Sequence, residues 1–265
     1  MDVDAKRLGE LAVAVAREAG ELVVRRRVEG VDVAATKSTP TDVVTRADRE
    51  SEELIRTRLL DARPHDGILG EEGSSVAGTS GVTWVVDPID GTVNYLYGIP
   101  TYAVSIGAEL DGRAVAGAVV NPVSGETWTA VLGEGARLDG RPIRVTGQDR
   151  LDQSLIGTGF GYDARRRASQ AAVLSQVITH VRDIRRAGSA ALDLCAVACG
   201  RHDAMYERGL NRWDYSAGLL IAEEAGARSG GLNGAAASEE LTIVAAPGIF
   251  DGLHDLLAAA GADHD

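Results

Sequence analysis

Trp84-Val85-Val86-Asp87-Pro88-Ile89-Asp90-Gly91-Thr92-Val93-Asn94-Tyr95 joins a buried-strand pattern to two carboxylates and a turn able to receive an anion. The apolar run 84–86 reads as a strand ending at Asp87, Pro88 cannot donate to a ladder, and Gly91 frees the backbone to turn. Two aspartates therefore stand at the carboxyl end of a strand. If Gly91 and Thr92 open a short helix, their N–H groups point outward unpaired and can grip an anion beside the carboxylates. Carboxylates alone repel phosphate, so a site offering both must hold a cation between them. Asp and Glu oxygens without His or Cys nearby suit Mg2+, Mn2+ or Ca2+, and Mg2+ is the ion that usually binds through few carboxylates plus substrate phosphate. Taken alone, the stretch also allows a plainer reading in which Asp87 ends a strand and Asp90 caps a helix.

A second acidic pair weighs against the plainer reading. Glu71 and Glu72 lie in Ile68-Leu69-Gly70-Glu71-Glu72-Gly73, directly after an apolar stub and bounded by glycines. A Glu-Glu pair is ordinarily a solvated loop, but loops seldom follow a buried stub so tightly. A third acid, Asp214 in Asn211-Arg212-Trp213-Asp214-Tyr215, precedes the apolar helical positions Ala217, Leu220, Ile221 and Ala225. It reads as a helix N-cap, and a cap can also be a ligand.

Four blocks in order, Lys37-Ser38-Thr39-Pro40-Thr41-Asp42-Val43-Val44-Thr45-Arg46-Ala47-Asp48, Gly70-Glu71-Glu72, Asp87 through Asn94, and Trp213-Asp214, resemble the inositol monophosphatase family. The likeness spans nearly the whole chain, and residues 97–100 and 103–107 look most like the branch acting on inositol phosphates. It implies a layered αβαβα sandwich of the inositol monophosphatase and fructose-1,6-bisphosphatase type. It implies two or three Mg2+ ions, with Mn2+ as a substitute: Glu71, Asp87 and the Ile89 carbonyl for one, and Asp87, Asp90 and Asp214 for a second. In such a pair one ion activates a water and the other stabilises the leaving oxygen. Thr92, oriented by Asp48, would position that water, with Glu72 supporting the site. Gly91 and Thr92 would hold the phosphate, beside Asp90 and Asp214. Gly188, Ser189, Ala190 and Glu207 match the family's substrate contacts; read without it, they are an ordinary helix start and the end of a short strand. The resemblance further implies Li+ sensitivity, a homodimer, and a loop around Lys37 that acts as a flap. Departures include Tyr95 where Phe is frequent, Ser216 in a usually Ala-rich turn, and the segment 229–240; none removes an expected ligand.

Around these motifs the pattern is α/β, with an α+β first half. Leu8, Leu11, Val15, Ala19 and Leu22 mark an amphipathic first helix, and Leu54, Ile55 and Leu59 a second after Asp48. Residues 103–110 and 114–120 flank the hairpin signal Asp111-Gly112, and 126–131 adds a strand. Helices then alternate with short strands at 156–159, 204–206 and 242–245. A polar stretch at 148–153 suggests a seam, giving halves 1–148, with most metal ligands, and 149–265, with Asp214 and the substrate contacts. The only low-complexity piece is a Gly/Ala-rich loop at 229–237.

With 265 residues, 45% of them hydrophobic, the chain can bury a substantial core, and its net charge of -12 argues against binding a nucleic-acid backbone. Arg25 to Arg27 and Arg165 to Arg167 read as solvated helix faces. No apolar run approaches a membrane span and neither terminus shows a secretory pattern, so a cytoplasmic location is expected. Cys195 and Cys199 share one face of a helix expected at 188–200 and read as buried thiols; neither His180 nor His202 has zinc-site spacing to them. His65, His254 and His264 are expected at the surface. The three tryptophans read as core or ligand-shielding rings.

The chemistry implied is metal-dependent hydrolysis of a small phosphomonoester, inositol 1-phosphate first. Histidinol phosphate, fructose 1,6-bisphosphate and 3'-phosphoadenosine 5'-phosphate are the alternatives, and a non-enzymatic metal-binding protein is a weaker one. A phosphatase using an aspartyl nucleophile needs aspartates at i and i+2, whereas Asp87 and Asp90 are at i and i+3.

Overall fold

The computed structural model describes residues 4–31, 33–37, 39–73 and 75–264, so Ser38 of the Lys37 block lies outside the described residues. In chain order the elements are α1 (Ala5–Glu29), β1 (Val33–Thr36), β2 (Val43–Thr45), α2 (Arg46–Ala62), β3 (Gly67–Gly70), β4 (Val82–Asp90), α3 (Thr92–Tyr97), β5 (Ala103–Leu110) and β6 (Arg113–Val120). There follow β7 (Thr127–Val131), β8 (Ala136–Leu138), β9 (Arg141–Pro142), β10 (Leu155–Thr158), α4 (Ala164–Val177), β11 (Asp183–Arg185) and α5 (Ala190–Ala198). The chain closes with β12 (Ala204–Glu207), α6 (Arg212–Glu224), β13 (Arg228–Gly230), β14 (Thr242–Ala245) and α7 (Phe250–Ala259).

Strands β3 to β9 form a seven-stranded sheet in sequence order, and a five-stranded sheet runs β11-β10-β12-β14-β13. Alternation along each strand explains why both sheets are covered on two sides. On β5 and β6, Val104, Ile106, Ala116, Ala118 and Val120 face Leu8, Ala12, Val15 and Ala19 of α1, while Ala103 and Val119 face α5 and α6. On β12 and β14, Met205 and Val244 join that second core, while Ala204, Tyr206, Ile243 and Ala245 pack against α4 and α7. Three cores, the middle one lying on both sides of α5 and α6, thus hold five layers, α/β/α/β/α, as the family resemblance implied.

Helix α6 lies close on the seven-stranded sheet because glycines meet it. A Cβ on Gly117 would stand 3.0 Å from the Ala217 Cα, and one on Gly107 would stand 2.7 Å from Ser216 Oγ. Ser216, a departure from the family pattern, donates to the buried Glu109 on β5 at 2.8 Å, and Arg212 bonds the same carboxylate. These contacts fix the first turn of α6, which carries Asp214.

Several local expectations need correction. The strand does not end at Asp87 but runs on to Asp90. Asp48 lies inside the first turn of α2, where Thr45 is the N-cap, and Asp214 inside the first turn of α6, where Asn211 is the N-cap. The Gly/Ala-rich loop contributes β13 at its start. Cys195 is buried and Cys199 half-buried. Arg27 is not a solvated face either; its guanidinium lies 6.0 Å from the Tyr95 ring centre. Among the described residues no helix is long and apolar enough to cross a membrane.

Candidate active site

The end of β4 carries an extra residue. Asp87 pairs with Ser105 and Asp90 with Ala103, so three steps on β4 match two on β5. In a regular strand residues i and i+3 point to opposite faces; this bulge turns Asp90 to the side of Asp87. Both are buried, at 1% and 8% exposure. Gly91 then adopts φ +93°, and a Cβ there would stand 3.0 Å from both the Gly188 and the Thr101 carbonyl oxygens. Only glycine fits this turn, which starts α3 at Thr92.

Asp214 reaches the same point from α6, with Oδ2 accepting the Asn211 N–H at 2.6 Å. One carboxylate oxygen from each of Asp87, Asp90 and Asp214 falls within 4.8 Å of the others. Asp90 is anchored from α5: Ser189 Oγ donates at 2.5 Å, and the N–H groups of Ala191 and Ala190 at 2.7 and 3.3 Å. Glu71 follows β3, which lies parallel beside β4, and its carboxyl touches that of Asp87. Lys37, just after β1, bridges Glu71 at 2.7 Å and Glu72 at 2.6 Å.

Behind Asp90, Thr92 Oγ lies 3.1 Å from both Asp48 Oδ1 and the Ile89 carbonyl. Asp48 is fully buried and forms a capping box with Thr45, accepting its N–H at 2.8 Å and its hydroxyl at 2.5 Å. The carboxylate that orients Thr92 is therefore held by the first turn of α2.

So many buried acids cannot all ionise without a counter-charge. Burial first, and then Glu71, Asp90 and Asp214, push the Asp87 carboxyl far up. Burial, Glu71 and Asp90 do the same to Asp214. Asp90 rises only to about 6, since the Ser189 and Ala191 donors oppose its burial. Burial carries Asp48 to about 6 against its Thr45 bonds, and Glu72 to about 7 against Lys37. Burial pulls the Lys37 ammonium down, but Glu71 and Glu72 outweigh it and the net shift is upward. An all-oxygen donor set with suppressed ionisation fits a hard divalent cation.

A cleft of ≈ 420 Å³ brings together Glu71, Asp87, Ile89, Asp90, Gly91, Thr92, Gly188, Ser189, Ala190, Glu207 and Asp214. Asp48 and Glu72 do not line it; Asp48 meets the cleft residue Thr92 and Glu72 the cleft residue Lys37. Glu207 lies flat on Gly159, where a Cβ would come within 2.2 Å of its carboxyl carbon. Burial, then Asp90, raise its pKa to about 8, with Arg186 opposing. Sequence reasoning missed Glu52, buried below the acidic loop with Oε2 accepting the Glu72 N–H at 2.8 Å. Its signal was a glutamate on the α2 face that carries Asp48, Ile55 and Leu59. It also missed Tyr162 and Asp193 in the cleft wall, which no motif marks, and Arg166, read as part of a solvated helix face, lines the cleft as well.

Comparison with known proteins agrees with this geometry. A model of the inositol monophosphatase family matches residues 4–263. The chain is 48% identical to the inositol-1-monophosphatase of Mycobacterium leprae, over 95% of this chain and 94% of that protein. It is 41% identical to a Pseudomonas aeruginosa protein named Nus factor SuhB, over 82% of each. The solved structure of Mycobacterium tuberculosis SuhB superposes with a TM-score of 0.85 at 46% identity, covering 99% of this chain and 100% of that one.

Proposed function

Because the chain belongs to the inositol monophosphatase family, a family of metal-dependent phosphatases acting on small phosphorylated substrates, we propose that it hydrolyses inositol 1-phosphate with Mg2+, as a cytoplasmic homodimer. The observation that carries this reading is the convergence of Asp87, Asp90 and Asp214 within 4.8 Å, beside the Gly91–Thr92 turn. Glu71, Asp87 and the Ile89 carbonyl would hold one Mg2+, and Asp87, Asp90 and Asp214 a second. Bound there, the ions would lower the pKa of the attacking water and neutralise charge on the leaving oxygen.

The chain's own groups supply the rest. The first N–H groups of α3 have no intrahelical partner, so those of Gly91 and Thr92 receive the phosphate. Thr92 donates its hydroxyl proton to Asp48, which leaves the Thr92 oxygen to accept from, and so aim, the water. Ser189, Ala190 and Ala191 spend their donors on Asp90; on this reading Ser189 and Ala190 shape the substrate site by holding that carboxylate, and Gly188 closes the turn over Gly91. Glu207 accepts from a ring hydroxyl. The halves are residues 1–148 and 149–265, with the reaction between them.

The test is phosphate release with Mg2+ from inositol 1-phosphate, histidinol phosphate, fructose 1,6-bisphosphate and 3'-phosphoadenosine 5'-phosphate. Inositol 1-phosphate should give the highest kcat/KM. A higher value for another ester would move the assignment to that substrate.

A further inference from the structure

Asp193, in the first turn of α5, and His202, just beyond the end of that helix, carry buried polar atoms without a hydrogen-bond partner, Asp193 Oδ1 and His202 Nδ1. They face each other at 3.6 Å, too far for a hydrogen bond and near enough for a small side-chain shift to make one. Gly157 on β10 leaves the room: a Cβ there would stand 3.0 Å from the nitrogen and 3.5 Å from the oxygen. The surrounding backbone shows what such a bond would join. The His202 N–H is hooked to the last turn of α5 through the Ala196 carbonyl at 3.1 Å, and Asp203 exchanges bonds with Leu155 at the start of β10. His202 is thus fixed at the edge of the second sheet, and its ring reaches back to the turn of α5 whose Ser189, Ala190 and Ala191 hold Asp90.

A buried acid and a buried base, each unsatisfied, are costly apart and compatible together. Burial raises the Asp193 carboxyl, Glu207 and Asp90 add to the rise, and Arg186 opposes it. Burial lowers the His202 imidazole, Arg185 adds to the fall, and Asp203 opposes it. Each group alone is therefore kept uncharged, and together they carry a single proton. We propose that Asp193 and His202 share this proton between Oδ1 and Nδ1, and that the pair is a latch seating the first turn of α5 against the second sheet and so aiming Asp90. Whether the proton stays on the carboxyl or crosses to the imidazole, the pair has the same proton count and no net charge. A second proton would leave an imidazolium beside Arg185 with no counter-ion in Asp193. Loss of the one proton would leave a carboxylate facing Glu207 and Asp90. The inference holds for whatever ester the cleft takes.

The unfolded chain has no such pair. Between about pH 4 and 6.5 it too binds one proton, on the histidine, so the latch adds no pH dependence there; below about 4 it binds a second, and above about 6.5 none. Removing one partner breaks that balance. In Asp193→Asn the folded His202 is neutral and the unfolded one charged, so stability rises with pH through this window. In His202→Gln the folded Asp193 keeps a proton that the unfolded chain has lost, so stability falls.

The experiment is urea unfolding of the full chain in chelator, at about pH 5.2 and about pH 6.2, for the wild type, both single variants and the double variant Asp193→Asn/His202→Gln. On going to the higher pH, the unfolding constant relative to that of the double variant should fall about fivefold to tenfold in Asp193→Asn and rise about tenfold in His202→Gln. In the wild type it should stay within about twofold. Four parallel pH dependences, or a wild type that moves with either single variant, overturn the shared proton. Amide hydrogen exchange tests the seating of α5: the Ala191 N–H, which donates to Asp90, should exchange about tenfold faster in both single variants than in the wild type. Unchanged exchange at Ala191 overturns the latch. Should a single variant fail to fold, the ring resonances of His202 in the wild type carry the test. They should stay fixed from about pH 5 to 7, and an ordinary titration near about 6.5 overturns the proposal.

Discussion

Ser189 Oγ donates to Asp90 Oδ2 at 2.5 Å across 99 positions of sequence. The bond ties the start of α5 to the bulged end of β4. It also means that a carboxylate encoded in one half of the chain is aimed by a helix encoded in the other. Ser189 caps the Leu192 N–H as well, at 3.4 Å.

Ser189→Ala should therefore lower both stability and turnover. Loss of a hydrogen bond to a charged group and of a helix cap together cost about 2–4 kcal/mol. Thermal unfolding and kcat, measured together, check this. Ser189→Thr, which keeps the hydroxyl, should recover most of both, and a Thr variant as impaired as Ala would show that the hydroxyl is not what matters.

Metal removal and ligand removal should have opposite effects on stability. Chelation should abolish hydrolysis, and Mg2+ at about 100 times its Kd should raise Tm by roughly 5–10 °C, since the ions bind only the folded chain. Asp87→Asn and Asp214→Asn should each reduce turnover at least about a hundredfold and raise the Tm measured in chelator, because each removes a carboxyl that burial, and then its acidic neighbours, force to take up a proton on folding. The Mg2+-induced rise should shrink in both. Li+ should inhibit the wild-type enzyme, as the family resemblance implies. Near-normal turnover in either variant would refute the ligand assignment.

The metal-free protein should lose stability as pH rises. Asp90 titrates near 6, Glu72 near 7 and Glu207 near 8 in the folded state, all above their ordinary unfolded values. Below pH about 4 they are protonated in both states and contribute no difference. Between about 4 and 8 the unfolded chain releases protons that the folded one retains, so unfolding becomes progressively easier, and above about 8 the loss is complete. Tm in chelator should fall across this window. The Mg2+-induced rise should grow with pH, because the ions need ionised ligands. A chelated Tm that climbs from pH 5 to 8 would contradict the assigned shifts.

Selectivity should follow Glu207. Glu207→Gln should lower kcat/KM for inositol 1-phosphate by about tenfold to a hundredfold more than for an aryl phosphate, because only the former offers a ring hydroxyl. Gly159→Ala should produce a similar selective loss, since its Cβ would take the place the Glu207 carboxylate now occupies. Equal losses on both substrates would mean that Glu207 supports the site without reading the ring.

Motifs whose chemistry is local were legible in the sequence. The acids after β3, the Asp111-Gly112 hairpin and the turn at Gly91 all depend on neighbouring residues. The bulge at the end of β4 was not legible, because Pro88 after Asp87 looks like a strand end; the extra residue is visible only against its partners Ser105 and Ala103. Asp48 and Asp214 were misplaced by a few residues for a similar reason: Thr45 and Asn211 are equally good caps, and only the folded turn shows which residue starts the helix.

Asp48 and Asp214 each occupy the third position of a helix and reach back to the N–H of its N-cap residue. Either aspartate would still have a helix to begin if the chain stopped hydrolysing esters and survived only as a scaffold. Glu71 starts no helix; among the described residues its carboxylate meets Lys37 and Asp87. Among descendants of such a protein, the identity of residue 71 would drift first. A retained glutamate there is the better genealogical marker of surviving catalysis, whereas aspartate at 48 or 214 marks only a surviving fold.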